Sequence, residues 1–338
     1  MKSTLLLFFL ALIFTACTPK VSVQTLQAPK ITHPSIRQLA VMDFKNDTIS
    51  QASSIETLLA NVTFEQKPYF TLVQRKDLDL ILNEKKLNDS ALVELDNFDE
   101  TRGLTQVKTL LQGEVLQSTL HQKVYFKSEK NYQHCLEYNK NKECIKFPIT
   151  LVRCQTNDYH VQTQIKVVEV ISSNILFLQT YQEKQSLSQC NNGVFLPSKQ
   201  EYNTQLAQRI AQKVLKDLAP NYITIKVSVL EKIDITLSKP QLQHFENALE
   251  LLSQERFTAA KTLLEELNTQ TKALSYVILY NLALCYEALH DVIRANNLYH
   301  EAEIKSLNSG VIEEISNAII RTDKTLKEEA RTSKLIGY

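Results

Sequence analysis

Apolar and polar residues follow strand-like and helix-like patterns in turn over residues 37–236. Apolar residues on both faces of 37–44 favour a strand inside a covered sheet, and the next apolar residues, 53–64, have helical spacing. Residues 159–173 and 174–187 are predicted as two long strands joined by a hairpin at Ser173-Asn174, and alternation over 161–168 indicates a half-exposed strand. Spacing at fours over 198–218 predicts a helix that ends before Pro220. These patterns predict an α/β or α+β domain, a mixed sheet with flanking helices.

Residues 239–330 carry only helical patterns, and these repeat. At an offset of 35 residues, Ala248 matches Ala283 and Ala260 matches Ala295. Small residues at these positions let two helices approach closely, as in tetratricopeptide repeats. We therefore expect a second, all-α domain resembling such repeats, with a generic pair of helical hairpins as the alternative.

The first 36 residues differ from both patterns. Lys2 precedes ten uninterrupted apolar residues, and the small residues Thr15 and Ala16 follow before Cys17. This layout predicts a signal peptide over 1–16, because the apolar block is too short to span a bilayer. Small residues followed by cysteine resemble the lipobox of bacterial lipoproteins, in which that thiol is acylated. The resemblance implies lipidation of Cys17 and export to the outer membrane. An ordinary signal peptide is the alternative.

Polar, proline-containing residues 17–36 predict a tether.

Composition restricts the function further. The chain has 38 basic and 37 acidic residues, so its charge gives no reason to expect nucleic acid as a partner. It has only five glycines and no phosphate-binding glycine motif, which argues against a nucleotide enzyme. We expect no cofactor.

Four cysteines lie close together in a segment that export would place in an oxidising compartment. Three pairings are open, and we favour Cys135 with Cys144 and Cys154 with Cys190. A metal site is the alternative, but the gaps lack the short spacing that structural zinc favours, and we expect no metal. The residues of that alternative are His134, Cys135, Cys144 and Cys154. Cys285 lies in an apolar helical context and is expected to be buried.

Several blocks of the chain resemble the CsgG-like family of curli-secretion lipoproteins, whose relatives activate peptidoglycan synthases or assist exopolysaccharide export. The resemblance covers about residues 37–232. Three blocks carry the resemblance. The first is a strand that ends near an aromatic residue, and the second is a strand that runs into Arg75 and is followed by a helix with a leucine-rich face. The third is a strand that contains Gly113. The matching positions are Val41–Phe44, Val73–Arg75, Leu78, Ile81, Leu82, Glu84 and Leu111–Val115.

The resemblance implies two functions of different classes. The first is an outer-membrane-anchored periplasmic lipoprotein that acts as an accessory or assembly factor and docks envelope proteins. The second is the protomer of a secretion channel, with homo-oligomers as in the family. Residues 128–144 are charged on both predicted faces, which favours the first function. We expect partners to contact exposed residues of the repeat helices: His244, Asn247, Asn281 and Glu287.

An enzyme is the third class. No HExxH motif or nucleophile signature occurs. Asp43, at the end of the first predicted strand, is placed where α/β sheets often bind ligands, yet a turn residue is the simpler interpretation. We expect no catalysis.

Overall fold

The computed structural model of the protein describes residues 19–73, 107–190, 195–306 and 310–336. The chain divides into two compact units, which we call the sheet unit, residues 29–219, and the helical unit, residues 1–28 with 220–338. Cys17 and the predicted helix at 76–87 lie outside the described residues.

The described residues form eleven strands, seven α-helices and one short 3-10 helix, Pro34–Arg37. The strands are β1 (Lys20–Gln27), β2 (Gln38–Val41), β3 (Thr63–Phe64), β4 (Lys67–Pro68), β5 (Thr71–Leu72), β6 (Thr109–Lys130), β7 (Glu137–Tyr138), β8 (Cys144–Lys146), β9 (Ile149–Glu169), β10 (Ile175–Cys190) and β11 (Asn221–Ser228). The helices are α1 (Gln51–Asn61), α2 (Lys199–Leu218), α3 (Lys239–Ser253), α4 (Phe257–Gln270), α5 (Tyr276–Ala288), α6 (Val292–Ser306) and α7 (Ile312–Ile336).

The sheet unit is built on a mixed five-stranded sheet in the order β10-β9-β6-β2-β5. The three long strands β10, β9 and β6 pair antiparallel, whereas β2 pairs parallel with both β6 and β5. A register shift between Val115 and Gln117 marks a bulge in β6. Because side chains alternate along a strand, this extra residue reverses which positions of β6 face the core.

Helices α1 and α2 contact each other and cover one face of this sheet. Leu206, Ile210 and Val214 of α2 are fully buried, as the spacing at fours predicted. The buried side chain of Gln51 links α1 to both α2 and β9. Its Nε2 donates to the Ala207 carbonyl of α2 at 2.9 Å, and its Oε1 accepts from Thr163 Oγ1 of β9 at 3.2 Å.

The first turn of α1 is capped by the side chain of Asp47. The Asp47 carboxylate accepts the backbone N–H groups of Gln51 at 2.8 Å and Ala52 at 2.9 Å. These donors have no partner inside the helix, so the carboxylate satisfies them and fixes the start of α1.

Helices α3–α7 form the larger part of the helical unit and share one core with β1 and β11. The four small residues of the predicted repeat, Ala248, Ala260, Ala283 and Ala295, are all 0% exposed. They lie where neighbouring helices pack, which agrees with the reason for expecting small side chains there. The predicted fold class, a mixed sheet with flanking helices followed by a helical domain, is confirmed.

The helical unit also contains two strands. Residues 20–27 of the predicted tether form β1, which pairs antiparallel with β11 over eight residue pairs, from Lys20 with Ser228 to Gln27 with Asn221. Val21 and Val23 alternate with polar residues and are fully buried in the core of this unit. The interpretation of these residues as an unstructured spacer is therefore wrong.

Candidate functional site

A group of exposed apolar side chains of the sheet unit lies at the far end of β6 and β9. These two strands pair from Thr109 with Glu169 out to Lys130 with Ile149, whereas β10 ends at Cys190, opposite Cys154. Beyond Cys154 the pair continues as a two-stranded ribbon within the described residues. We call residues 123–153 the arm; they comprise this ribbon and residues 123–125 of β6, which pair with 154–156 at its base.

One face of the arm, which we call the apolar face, carries four large apolar side chains beside Ser128, Lys130 and Arg153. The register pairs Phe126 with Arg153 and Ser128 with Leu151, so that even positions of β6 and odd positions of β9 share a face. Val124, Phe126, Ile149 and Leu151 lie on this face and are 47–70% exposed. The other face is more polar and carries an ion pair between Lys127 and Glu129 at 3.2 Å. Contiguous apolar exposure of this kind marks an interaction surface.

The tip of the arm is closed by a disulfide between Cys135 and Cys144. The short strands β7 and β8 pair there, and the rings of Tyr132 and Phe147 pack edge to face at 4.8 Å. The tip adds four more large side chains that are 58–72% exposed: Tyr132, Leu136, Tyr138 and Ile145. The disulfide restricts the loop, which lowers the entropy lost when a partner binds.

A second disulfide braces the base of the arm. Cys154 and Cys190 are direct neighbours across β9 and β10, and their sulfur atoms are bonded at the last residue of β10. Both disulfides are the pairings favoured from the sequence. His/Cys/Asp/Glu groups able to hold a metal ion are absent from the described residues.

The arm is basic. Residues 123–153 include seven lysine or arginine residues and three glutamates, although the whole chain is nearly neutral. A basic surface with exposed aromatic side chains suits a partner whose surface is acidic and carries its own apolar patch.

A cavity of about 410 Å³ lies on the apolar face where the arm meets the sheet. Gln122, Arg153 and Asn157 line one wall, and residues 195–198 line the other. Asn157 Nδ2 donates to Tyr159 Oη at 3.0 Å, and that hydroxyl donates to the Pro197 carbonyl. The described lining consists of amides, one guanidinium, a hydroxyl and apolar groups, so the cavity offers hydrogen bonds and no group suited to proton transfer near neutral pH.

Two of the four predicted partner-binding residues are buried, and their prediction as exposed residues is wrong. Asn281 is 0% exposed, and its amide bonds the backbone N–H and carbonyl of Leu230. Glu287 is 1% exposed and pairs with Arg321. The physical reason is that the β1–β11 pair and α7 cover the face of the repeat helices on which these two residues lie.

The other two residues lie on α3. Asn247 is exposed, and its Oδ1 accepts from Gln243 at 3.1 Å. His244 is half-buried, and its Nδ1 has no hydrogen-bond partner in the part of the chain described. The four predicted residues therefore do not form one surface.

The residues that do form a surface were missed in the sequence. The sequence signal for this surface was the pair of segments Val124-Tyr125-Phe126 and Ile149-Thr150-Leu151. Each has apolar residues two positions apart, and the two segments lie on either side of the polar segment 128–144. In the described residues, no helix has the length and apolarity needed to cross a membrane. Cys17 lies outside the described residues, so its lipidation stays a prediction.

The long antiparallel hairpin, the parallel β2 and the two covering helices define a mixed α/β protein of the kind expected from the sequence. The sequence model of the family described as curli production assembly/transport component CsgG matches residues 17–225. The chain belongs to this family, and the resemblance drawn from the sequence is confirmed.

Comparison with solved structures finds the PelC dodecamer from Paraburkholderia phytofirmans, in space group P6. The two chains are 12% identical, the match covers 59% of this chain and 97% of that chain, and the TM-score is 0.25. No curated protein matches the sequence.

Proposed function

We propose that this protein is a periplasmic lipoprotein, anchored in the outer membrane through Cys17, that serves as a non-enzymatic accessory factor for envelope assembly or secretion. Membership in the CsgG family and the lipobox-like sequence at Cys17 support the anchoring and the setting. The arm supplies the docking surface for a partner protein.

The single observation that carries this proposal is the composition and exposure of the arm. Its apolar face and its tip together expose eight large side chains, and the arm is closed and braced by two disulfides. Such a surface costs free energy in water unless a partner covers it. The surplus of basic residues favours an envelope protein with an acidic rim around an apolar patch.

Photo-crosslinking tests this proposal in cells. A photoreactive amino acid replaces Phe126 on the arm or, as a matched control, Ile293 on the helical unit, because both side chains are 65% exposed. We expect position 126 to crosslink reproducibly to one envelope protein, and position 293 not to. The substitutions Lys127→Glu and Lys130→Glu should weaken the crosslink, because they reverse the charge next to Phe126.

A channel protomer is the second candidate, and one observation favours it. The apolar face of the arm alternates with a more polar face, which the sequence interpretation of residues 128–144 did not anticipate. In that case position 126 would crosslink to lipid or to a second copy of this chain. Absence of any crosslink at position 126 would contradict both candidates.

A further inference from the structure

Strand β1 begins very close to the proposed lipid attachment point. Lys20 is three residues after Cys17, and Pro19 is already held to the helical unit, because the backbone N–H of Val229 donates to the Pro19 carbonyl at 3.0 Å. The predicted tether of residues 17–36 would have allowed a long separation between the anchor and the first folded part. Only Thr18 lies between Cys17 and Pro19 in the sequence.

The start of β1 is fixed to the helical unit at the turn between α3 and α4. The backbone N–H of Ser22 donates to Glu255 Oε1 at 2.9 Å, and Lys226 Nζ donates to Ser22 Oγ at 2.6 Å. The hydrogen bond from Ser22 holds the pKa of the Glu255 carboxyl below its ordinary value. The charged form of Glu255 therefore stabilises this attachment at neutral pH.

Strand β1 is also fixed by its interior side chains. Val21 and Val23 are 0% exposed in the core that α3–α7 form. At the other end of the strand, the Ala28 N–H donates to Glu328 Oε2 of α7 at 3.0 Å. Detaching β1 would expose both valines and leave the paired backbone groups of β11 without partners.

We propose that the acyl anchor holds the helical unit directly at the bilayer surface, with the α3–α4 turn next to the lipid headgroups. Consecutive Cα atoms are 3.8 Å apart, so the Cα of Cys17 lies at most about 8 Å from that of Pro19. The inference rests on the proposed lipidation of Cys17. A tether would separate every folded part of the protein from the anchor. In the proposed arrangement, the unit formed mainly by the C-terminal helices is instead held at the membrane.

The charges near the start of β1 suit this placement. Lys226 forms an ion pair with Glu255 at 3.7 Å, Lys20 is the first residue of β1, and Arg256 directly follows Glu255 in the chain. Lysine and arginine side chains can reach lipid phosphates while their aliphatic stems remain over the protein.

Fluorescence quenching on vesicles tests the inference. The full acylated chain is placed in vesicles that carry a spin label on the lipid headgroup, and a fluorophore is attached through Gln254→Cys or Leu274→Cys. Both residues are exposed and lie in the turns at opposite ends of α4. This helix has 14 residues and is therefore about 20 Å long.

Labelling is selective for the introduced thiol. Four native cysteines are in disulfides, Cys17 carries lipid in the acylated protein, and burial raises the pKa of the Cys285 thiol to about 12. A buried thiol without thiolate character does not react with a maleimide near neutral pH. Unchanged far-UV circular dichroism would show that the labelled variants fold.

We expect the label at position 254 to be quenched at least twofold more strongly than the label at 274. Insertion of twenty glycine and serine residues between Thr18 and Pro19 should remove that difference. Equal quenching in the acylated chain without the insertion would overturn the inference and leave the lipoprotein proposal intact. Mass spectrometry of the N-terminal peptide distinguishes failure of this inference from failure of the lipoprotein proposal, because an unacylated peptide would overturn both.

Discussion

At the residue scale, Glu287 shows how a polar residue in a helix can be structural. Its carboxylate accepts from Arg321 Nε at 2.6 Å, from Arg321 Nη2 at 2.7 Å and from the Tyr299 hydroxyl at 2.8 Å, which joins α5, α6 and α7. Burial lowers the pKa of Arg321, but the hydrogen bond and charge of Glu287 more than offset this, so the net pKa is raised and the guanidinium stays charged. The pair is buried and satisfied, and a partner cannot reach it.

Substitution of Glu287 by alanine should destabilise the helical unit by about 3–5 kcal/mol, because it leaves the Arg321 charge buried without its partner. Urea unfolding followed by far-UV circular dichroism measures the change. The double variant Glu287→Ala with Arg321→Met should lose less stability than the sum of the single variants. Additive losses would show that the two side chains are not coupled.

Gly113 in β6 is a second residue whose role depends on space. A Cβ atom at Gly113 would overlap the ring of Phe44. We expect Gly113→Ala to lower the stability of the sheet unit by about 1–3 kcal/mol, because the buried ring must move.

Gly310→Ala is the matched control, because nothing lies within 4 Å of a Cβ at Gly310. Its effect should stay within about 0.5 kcal/mol. An equal effect of the two substitutions on thermal unfolding would contradict the steric explanation for Gly113.

At the element scale, local patterns could be predicted from the sequence and long-range pairing could not. The helix expected over 198–218 is α2, Lys199–Leu218, because its spacing at fours and the following proline are local signals. Strand β1 was missed because its partner, β11, lies about 200 residues away in the chain, and a short run next to prolines carries a weak signal.

The arm shows the same limit. Its polar middle segment was recognised from composition. The pair Cys135–Cys144 was recognised from its short spacing of nine residues, and Cys154–Cys190, 36 residues apart, from the predicted strands that it would join. The apolar face could not be assigned from the sequence, because it depends on the register of β6 with β9 and on the bulge after Val115. A shift of one residue would place the same side chains on the opposite face.

The contribution of β1 to the helical unit leads to a prediction at this scale. Val23→Asp places a charge in the core and should reduce the hydrogen-exchange protection of α3, α5 and α7, which β1 contacts. Gln24→Asp, at the adjacent exposed position, is the control and should leave protection unchanged. Unchanged protection in Val23→Asp would mean that β1 does not complete this core.

At the scale of the whole molecule, each unit carries one part of the proposed function. The helical unit contains the strand that follows the proposed lipid attachment point, and the sheet unit contains the arm. A lipid anchor restricts the protein to the membrane surface, which raises the effective concentration of the arm for partners in the same envelope.

The most direct test of this account is detergent extraction of the outer-membrane fraction, followed by size determination and mass spectrometry of the N-terminal peptide, for the native chain and Cys17→Ala. Thr18→Ala serves as the control. The account predicts a monomer or small oligomer that is acylated at Cys17 and that Cys17→Ala releases into the soluble periplasm. A large ring that remains in the membrane without its lipid would contradict it and would favour the channel.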